Sequence, residues 1–481
     1  MCAGWVPPRL PLPSIYSCLG SLHFSLLQPR NQTFHITENV FLRLLGLVYL
    51  VAFASLWPQI VGLVGASGIV PAAETLLSMH HDYGWRAYWY VPSVFWLSPT
   101  DSVLQLICAL GCLAALLLMF GVVVRGAALA AYLLYLSLVS IGQPFTSFQW
   151  DALLLEAGFL AFFAGSALLP LAYRFLLFRL MFESGLVKLT SGDINWRNLH
   201  ALRYHFLTQP LPNPLAYYLY FAPAWLLDTL TVATLFIELV VPFLLFAYPR
   251  RIRQIAASLL VAFQIFIALT GNFAFFNLLT IALCLWALDD ESFHWLPKWR
   301  IPAVAGRMKI LDFGVGSLIA LSVLQLFALA PSFIESFEIV NTYGLFAIMT
   351  TSRTELVIEG SDDNGHWQAY SFPDKPGDPR RGLPLVAPYQ PRLDWQMWFA
   401  ALGQPEGNFW VKALCYKLLL NDKEVLKLLE PSPFAKAPRA IRILAYSYTF
   451  APPAQRKRDG TVWQRKLLGI WFGPESIISG N

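Results

Sequence analysis

The residues with the clearest potential for chemistry are charged side chains inside long apolar runs. Lys188 and Glu238 each lie in such a run, and Arg179 and Glu183 are four residues apart, a spacing that predicts an ion pair on one face of a helix. A charge among membrane helices is costly, so each of these residues indicates a function or a partner inside the protein. A desolvated lysine can act as a base, and it can also extend its amine to the membrane interface. The sequence leaves both roles open for Lys188.

Other polar residues stand at the ends of apolar segments. Asp151 and Glu156 begin one predicted helix, and Asn272 and Asn277 flank a turn at 271–276. Structural ion pairs, interhelical hydrogen bonds and helix capping are the alternatives to a functional role. With Lys188 as the one catalytic candidate, the other candidate functional residues of the membrane part are Asp151, Glu156, Glu183, Asp193, Trp196, Tyr204, His205, Gln209, Glu238, Asn272 and Asn277.

The segment 190–214 is dense in Trp, Tyr, His and Pro and is too polar to span a membrane. We expect a short amphipathic helix at the outer interface, ended by the prolines at 210–214; interface anchoring is the alternative to a functional role for its side chains. His200 and His205 are five residues apart, which is poor spacing for a metal on a helix, and the six cysteines have no zinc-site spacing. The sequence therefore predicts no metal site, and it contains no cofactor motif.

The chain as a whole has the composition of a membrane protein. Of its 481 residues, 57% are hydrophobic and 13% are charged, whereas a soluble protein carries about 25% charge. Because a spanning helix needs about 20 apolar residues, we predict a polytopic α-helical membrane protein of about nine spans. The short segment 174–189 is a candidate for a re-entrant helix, and two neighbouring pairs are candidates for tight hairpins. The predicted spans are 41–64, 103–124, 126–142, 151–170, 174–189, 224–248, 254–270, 274–289 and 310–331. Trp57-Pro58 is expected to kink the first of them.

The basic residues predict which side of the membrane each loop faces, because lysine and arginine are enriched in cytoplasmic loops. They cluster in alternate loops, at Arg30, Arg125, Arg174, 250–253 and 298–309. This pattern predicts a cytoplasmic segment 1–40, a membrane domain 41–333 and a C-terminal domain 334–481 on the opposite side. That side is the lumen of the endoplasmic reticulum in a eukaryote and the periplasm or exterior in a bacterium. The net charge is +5, and the basic residues form no stripe interleaved with aromatic residues. The predicted partner is therefore the lipid bilayer and not a nucleic acid.

The C-terminal domain is predicted to be α+β, with a β-sheet outside the membrane. Two alternating segments, 355–359 and 367–372, are separated by turn residues at 362–365 and predict a β-hairpin. The other predicted elements are helices over 392–402 and 408–420, a strand over 441–450, and a solvated turn at 456–458 before a last strand.

A set of motifs runs through both parts of the chain, at 148–151, 154–160, 178–189, 204–214, 271–280, 341–346, 357–360, 375–378 and 388–402. Together they resemble the lipase maturation factor family, over nearly the whole chain from about Phe41 to Phe450, and the second vertebrate paralogue more than the first. The resemblance implies a multi-pass protein of the endoplasmic reticulum membrane with a lumenal C-terminal domain. It also implies a role in helping secreted homodimeric lipases fold and assemble into active dimers. We expect a client lipase to bind aromatic residues and strand edges of the C-terminal domain. The candidates are Tyr343, Arg392, Asp394, Trp395 and Trp398.

A shorter stretch gives a rival hypothesis. Residues 185–189, followed by Asp193 and Trp196, are similar to a segment of vitamin K-dependent γ-glutamyl carboxylase. That resemblance implies that Lys188 is a base that removes a proton from a quinol. The first hypothesis is therefore a non-enzymatic maturation factor, the second a membrane-embedded enzyme that uses Lys188 on a lipid or quinone substrate, and the third a transporter.

Overall fold

The computed structural model describes residues 32–293, 308–362 and 365–476. Up to residue 326, its α-helices in chain order are α1 (His35–Leu56), α2 (Ile60–Val64), α3 (Ala72–Tyr83), α4 (Ala87–Tyr90), α5 (Asp101–Phe120), α6 (Val124–Ile141), α7 (Gln149–Ala161), α8 (Leu169–Thr190), α9 (Ile194–Arg197), α10 (Leu202–Thr208), α11 (Pro214–Tyr220), α12 (Ala224–Leu239), α13 (Arg250–Thr270), α14 (Phe276–Cys284) and α15 (Lys309–Leu326). Within the described ranges six helical segments are long and apolar enough to cross a membrane: α1, α5, α6, α12 with its extension to Phe246, α13 and α15. The prediction of a polytopic helical membrane protein is confirmed.

Three further helices, α7, α8 and α14, lie among these six in the chain. Together with the six they form a series in which successive helices run in opposite directions. α8 is continuous over 22 residues, which at about 1.5 Å per residue is long enough to cross a bilayer. It is not one of the six apolar helices because it contains four buried or half-buried charged residues. α7 and α14 are shorter, with 13 and 9 residues. Each packs against the helix before it, as the predicted hairpins require.

Basic residues gather at one end of this bundle. The Asp290 carboxylate accepts a hydrogen bond from the backbone N–H of His35 at 2.9 Å, and Arg174 Nε donates to the Trp286 carbonyl at 2.6 Å. The starts of α1 and α8 therefore meet the residues that follow α14, as an alternating series requires. The same end holds Arg125, Arg250 and Arg253, which contact Ala164 or Asp289. Residues 1–31 and 294–307, where further basic residues were predicted to be cytoplasmic, lie outside the described residues.

A break separates the first two helices. α1 ends at Leu56 and α2 begins at Ile60, and Pro58 lies between them, where its missing N–H and its ring oppose a continuous helix. The kink predicted at this position is confirmed. The predicted span 41–64 is thus two helices, and the first begins six residues earlier than predicted.

The C-terminal part is built on one antiparallel sheet. Its strands are β1 (Arg353–Ser361), β2 (Trp367–Ala369), β3 (Ala440–Phe450) and β4 (Trp463–Ser476), in the order β2-β1-β3-β4. β1 pairs with β2 as the predicted hairpin, with Glu359 opposite Ala369. Its helices are α16 (Arg392–Ala401), α17 (Phe409–Leu419), α18 (Lys423–Leu426) and α19 (Pro453–Asp459).

The predicted sheet and the two longer helices of this part are confirmed, and one local prediction is wrong. The basic run 456–458 lies in α19 rather than in a turn. Pro453 begins this helix, where a proline needs no hydrogen-bond partner, and Gly460 ends it with φ of 75°, a left-handed conformation that glycine adopts without strain. α10 likewise ends at Thr208, before Gln209 and Pro210, as predicted.

Close packing of α1 against α7 depends on Gly158. A Cβ at this position would lie 1.8 Å from the hydroxyl of Tyr49, which donates a hydrogen bond to the Leu154 carbonyl. Gly158→Ala is therefore expected to displace the Tyr49 ring and to destabilise the fold by about 1–3 kcal/mol, the usual range for overpacking. The measurement is the melting temperature of the purified protein in detergent.

Gly316→Ala is the matched control, because a Cβ on this other helical glycine would find its nearest atom, on Leu168, at an ordinary 3.6 Å. It should leave the melting temperature unchanged or raise it, since alanine favours a helix more than glycine does. Equal effects of the two substitutions would contradict the tight contact between α1 and α7.

Candidate functional site

The C-terminal part is joined to the membrane helices by buried charges, of which Arg392 is the centre of the first group. This first residue of α16 has no exposed surface, and its guanidinium forms a bidentate pair with Asp151 of α7, at 2.8 and 2.9 Å. Arg392 Nη2 also donates to the hydroxyl of Tyr135, at 3.0 Å, and that hydroxyl donates to Asp151. Asp151 therefore serves as the anion of an interdomain ion pair rather than as the cap of its own helix.

A second group connects α7 and α8 with the segment that leads into the sheet. Arg179 forms an ion pair with Glu156 of α7 and donates to the Asn341 carbonyl at 2.8 Å. Glu156 also accepts a hydrogen bond from the hydroxyl of Tyr343 at 2.8 Å, and Glu183 accepts one from the Tyr343 backbone N–H at 2.7 Å. The predicted pair of Arg179 with Glu183 is thus wrong, because the closer carboxylate comes from the neighbouring helix.

Lys188 forms the third group. Its amine donates to the carbonyls of Ser184 and Leu345, each at 3.0 Å, and contacts both carboxylate oxygens of Glu238, at 2.8 and 3.0 Å. The ring of Trp196 lies 5.2 Å from the amine. Three acceptors therefore engage the three hydrogens of this ammonium group, which leaves neither a free hydrogen nor a lone pair for a substrate.

The polar residues of the 190–214 segment also serve this junction. Asp193 caps α9 by accepting from the Asn195 N–H at 2.6 Å, and its second oxygen accepts from the Met349 N–H. Trp196 Nε1 donates to the Phe346 carbonyl at 2.9 Å. Tyr204 is half-buried and packs against the apolar cluster that contains Trp196. These contacts attach the 190–214 segment to residues 346–349.

The predicted amides also bond to groups of this chain. Gln209 donates to the Thr270 carbonyl at 2.8 Å, and Asn277 donates to Gln264 at 2.8 Å. Asn272 donates to the Pro384 carbonyl at 3.0 Å and accepts from the Val386 N–H at 2.9 Å, so it connects the membrane turn with the loop before α16. Each of the three amides thus satisfies backbone or side-chain groups of this chain.

The residues predicted to contact a client lie inside the protein. Tyr343, Arg392, Asp394 and Trp395 are buried, and Trp398 is half-buried with its Nε1 donating to the Thr208 carbonyl at 2.8 Å. Asp394 accepts from the backbone N–H groups of Asp374 and Lys375, and burial raises the pKa of its carboxyl to about 7. Their contacts are intramolecular, so these five side chains offer little or no surface to a partner in this arrangement. This differs from the prediction because the helix that carries most of them faces the membrane part.

A cavity of about 750 Å³ lies at the same junction. Its wall includes residues of α7, α8, α9, α10, α12, α13, α14 and α16 and residues 344–350, and most of the lining is aliphatic or aromatic. The predicted candidates Lys188, Trp196, His205, Glu238, Trp395 and Trp398 all line it. Asp151, Glu156, Glu183, Asp193, Tyr204, Gln209, Asn272 and Asn277 lie outside its lining and hold the surrounding elements.

Several residues of the junction were missed at the level of sequence. Arg353 of β1 is fully buried and donates to the carbonyls of Leu207 and Pro210, each at 2.8 Å. Gln390 accepts from Trp150 Nε1 at 2.9 Å, and Gln59 accepts from the Arg392 N–H at 2.9 Å. A single arginine or glutamine in a polar region has no local pattern that marks it as buried.

A bundle of membrane-crossing helices and an α+β domain, fixed to each other by buried ion pairs around an apolar cavity, define a multi-pass membrane protein with an extramembrane domain anchored to its helices. Two family models divide the chain in a similar way. One, the lipase maturation factor transmembrane domain, matches residues 36–295, and the other, the lipase maturation factor C-terminal domain, matches residues 339–473.

Curated relatives carry the same family name. The chain is 35% identical to lipase maturation factor 1 of Bos taurus, over 93% of this chain and 90% of the relative. It is 34% identical to lipase maturation factor 1 of Homo sapiens, over 92% of this chain and 88% of the relative, and 32% identical to human lipase maturation factor 2, over 92% and 83%. The chain belongs to the lipase maturation factor family.

The motifs predict a greater resemblance to the second vertebrate paralogue than to the first. The identities with these relatives do not show that preference. No solved structure matches the chain. The resemblance of 185–196 to γ-glutamyl carboxylase stays a prediction.

Proposed function

We propose that this protein is a membrane-bound maturation factor that helps secreted lipases fold and assemble into active dimers. The observation that carries the proposal is similarity to proteins named lipase maturation factors over more than nine-tenths of the chain. The protein would act by binding and not by catalysis. The proposed location is the endoplasmic reticulum membrane, with a domain division at 1–40, 41–333 and 334–481 and the C-terminal domain in the lumen.

The orientation is supported by the arrangement of the helices. The end of the bundle that gathers Arg125, Arg174, Arg250 and Arg253 would face the cytoplasm under the positive-inside rule. The C-terminal part contacts the opposite end, where Arg392 meets the carbonyl of Phe145 at 3.0 Å in the loop between α6 and α7. A secreted client would be reached from that side only.

The surface proposed for the client is the outer edge of the sheet. Among the described strands β4 pairs with β3 alone, so its other edge has unpaired backbone groups over much of its 14 residues. Leu467, Leu468 and Ile470 are 52%, 58% and 61% exposed on this strand. An exposed strand edge with apolar side chains favours pairing with an extended segment of another chain. A partly folded lipase would supply such a segment.

The test of the maturation function is complementation in cells that lack lipase maturation factors. Expression of this chain is expected to raise the activity of a secreted homodimeric lipase per unit of lipase mass and to increase its dimeric fraction. An unchanged ratio of activity to mass, with the protein present in the membrane, would refute the function. A catalytically inactive lipase provides the background activity.

The client surface gives a separate prediction. Replacing Leu467, Leu468 and Ile470 together by lysine should abolish most of the complementation while the protein stays folded, because charge opposes edge pairing and these side chains face solvent. Co-precipitation of the lipase should fall in parallel. The matched control is the pair Leu385→Lys and Leu420→Lys, since these leucines of the same domain are 77% and 48% exposed. Equal loss in both variants would contradict a role for the β4 edge.

The alternative is a membrane-embedded enzyme that uses Lys188 as a base on a lipid or quinone. The observation in its favour is that Lys188 lines a cavity of ligand size. Against it stand the four contacts that occupy the amine. The structural role is therefore the one we propose for Lys188, and the test that separates the two is given in the Discussion.

A further inference from the structure

We propose that the cavity at the junction is a binding site for an uncharged lipid whose hydroxyl or ester group hydrogen-bonds to His205. This lipid would be a ligand of the protein that is distinct from any client lipase. The proposal does not depend on the maturation function, because it rests on the shape, lining and polar groups of the cavity.

The size and lining of the cavity fit one hydrocarbon chain. Its volume of about 750 Å³ lies within the roughly 300–1,000 Å³ typical of small-molecule sites. The part of the wall contributed by α13 contains Phe263, Phe266 and Ile267, and the part contributed by α16 contains Trp395 and Phe399. Water in such a space would find few hydrogen-bond partners, so the site favours an apolar occupant.

Among the described residues, His205 is a polar group of the wall that remains available, and the Ser184 hydroxyl is another. Its ring packs edge-on against Phe346, with centroids 5.1 Å apart, and lies parallel to Phe273 at 6.4 Å. Neither ring nitrogen has a hydrogen-bond partner in the described part of the chain, although the ring is not fully buried because it faces the cavity. An imidazole whose two nitrogens are both open can donate one hydrogen bond and accept another.

The charges around the cavity select against an ionic head group. Lys188 and Glu238 line the wall together and neutralise each other at 2.8 Å. Burial and the nearby Lys188 ammonium lower the pKa of His205 to about 4, so this ring is neutral at physiological pH. Since no net charge faces the ligand from this pair or from His205, a carboxylate, sulfate or phosphate would lose its hydration without compensation. A hydroxyl or an ester carbonyl matches the neutral imidazole.

The experiment is photolabelling of the purified full-length protein in detergent. The probe is a monoacylglycerol with a diazirine in its acyl chain, and the comparison probe has the same chain with a sulfate head. The monoacylglycerol should label peptides that contain 263–267 and 395–399, with half-saturation at a concentration about 5- to 10-fold lower than that of the sulfate, which corresponds to about 1–1.4 kcal/mol of hydrogen bonding and desolvation. Labelling confined to other, lipid-facing helices would refute the site.

Four variants test the roles of residues in the cavity. Ala347→Trp should fill it and reduce labelling at least 5-fold; if this variant does not fold, Met181→Trp fills the same space from α8. His205→Phe keeps the aromatic packing and should remove the preference for the monoacylglycerol over the sulfate probe. His81→Phe, a histidine with an 88% exposed side chain, is the matched control and should change nothing. A preference that survives His205→Phe, or labelling that survives both filled variants, would overturn the proposal.

Discussion

Arg392→Met is expected to lower the free energy of unfolding by about 3–5 kcal/mol, the range found when one partner of a buried ion pair is removed. The carboxylate of Asp151 would remain at the junction, with a side chain only 1% exposed and without a neighbouring positive charge from α16. Tyr135 would keep its hydrogen bond to Asp151 but would lose the one from the guanidinium. A loss of this size is a large part of the stability of an ordinary domain.

The measurement is the melting temperature of the purified protein, together with its abundance in the membrane. Arg392→Met combined with Asp151→Leu should be much less destabilising than the sum of the two single changes, since the pair is then replaced by apolar side chains. Arg380→Met is the control, because Arg380 is exposed on a loop of the same domain. An Arg392 variant as stable as the Arg380 variant would contradict a junction held by this ion pair.

Lys188→Met is the second substitution with a large expected effect. The carboxylate of Glu238 would be left in a site where its side chain is 9% exposed, and the Leu345 carbonyl would lose its partner. We expect a loss of about 3–5 kcal/mol and a reduced amount of folded protein. Lys427→Met is the control, because Lys427 pairs with Glu424 at the surface, with 64% and 34% exposure, where such a pair is worth only about 0.2–1 kcal/mol.

The double variant Lys188→Met/Glu238→Met separates a structural lysine from a catalytic base. If Lys188 serves the junction, replacing both charges by apolar side chains should restore much of the stability and of the complementation that the single change removes. If Lys188 is a base, the single variant should be folded and inactive, and the second substitution should restore nothing. The ratio of secreted lipase activity to lipase mass, normalised to the amount of protein, distinguishes the two.

Most elements of the fold follow from local patterns. The apolar runs gave α1, α5, α6, α12, α13 and α15, and the alternation at 355–359 and 441–450 gave the two central strands. Pro58 marked the break after α1. These predictions succeed because a helix, a strand or a proline break depends on residues that are neighbours in the chain.

The junction could not be predicted in the same way. Arg392 and Asp151 are separated by 241 positions, and Asn341 and Glu156 by 185. The sequence singled out both acidic residues because they lie beside apolar segments, but only the tertiary structure supplies their partners. For the same reason, the sequence predicts an ion pair of Arg179 with Glu183, four residues away, whereas the structure pairs Arg179 with Glu156.

Burial in the C-terminal part was the least predictable feature. Trp395 and Arg392 lie on a helix of mixed polarity, a pattern that is typical of a surface helix in a soluble domain. Its polar face is nevertheless covered, because Asp151 and the carbonyl of Phe145 provide partners from the membrane side. The candidate client surface therefore moves from α16 to the exposed edge at β4.

A single new glycosylation acceptor tests most directly whether the α+β domain lies on the non-cytoplasmic side of the membrane. Asp459→Asn creates an acceptor sequence with Gly460 and Thr461, at the exposed end of α19. Asparagine can still accept the hydrogen bond that the Thr461 N–H donates to Asp459 at 3.0 Å. The native acceptor sequence at Asn31 precedes α1 and is predicted to face the cytoplasm.

In mammalian cells the unaltered protein should carry no N-linked glycan, and Asp459→Asn should gain one, seen as a single band shift removed by endoglycosidase. Asp459→Gln, which creates no acceptor, should behave as the unaltered protein. A glycan at Asn31 together with an unmodified Asp459→Asn variant would place the C-terminal domain in the cytosol and would contradict the account.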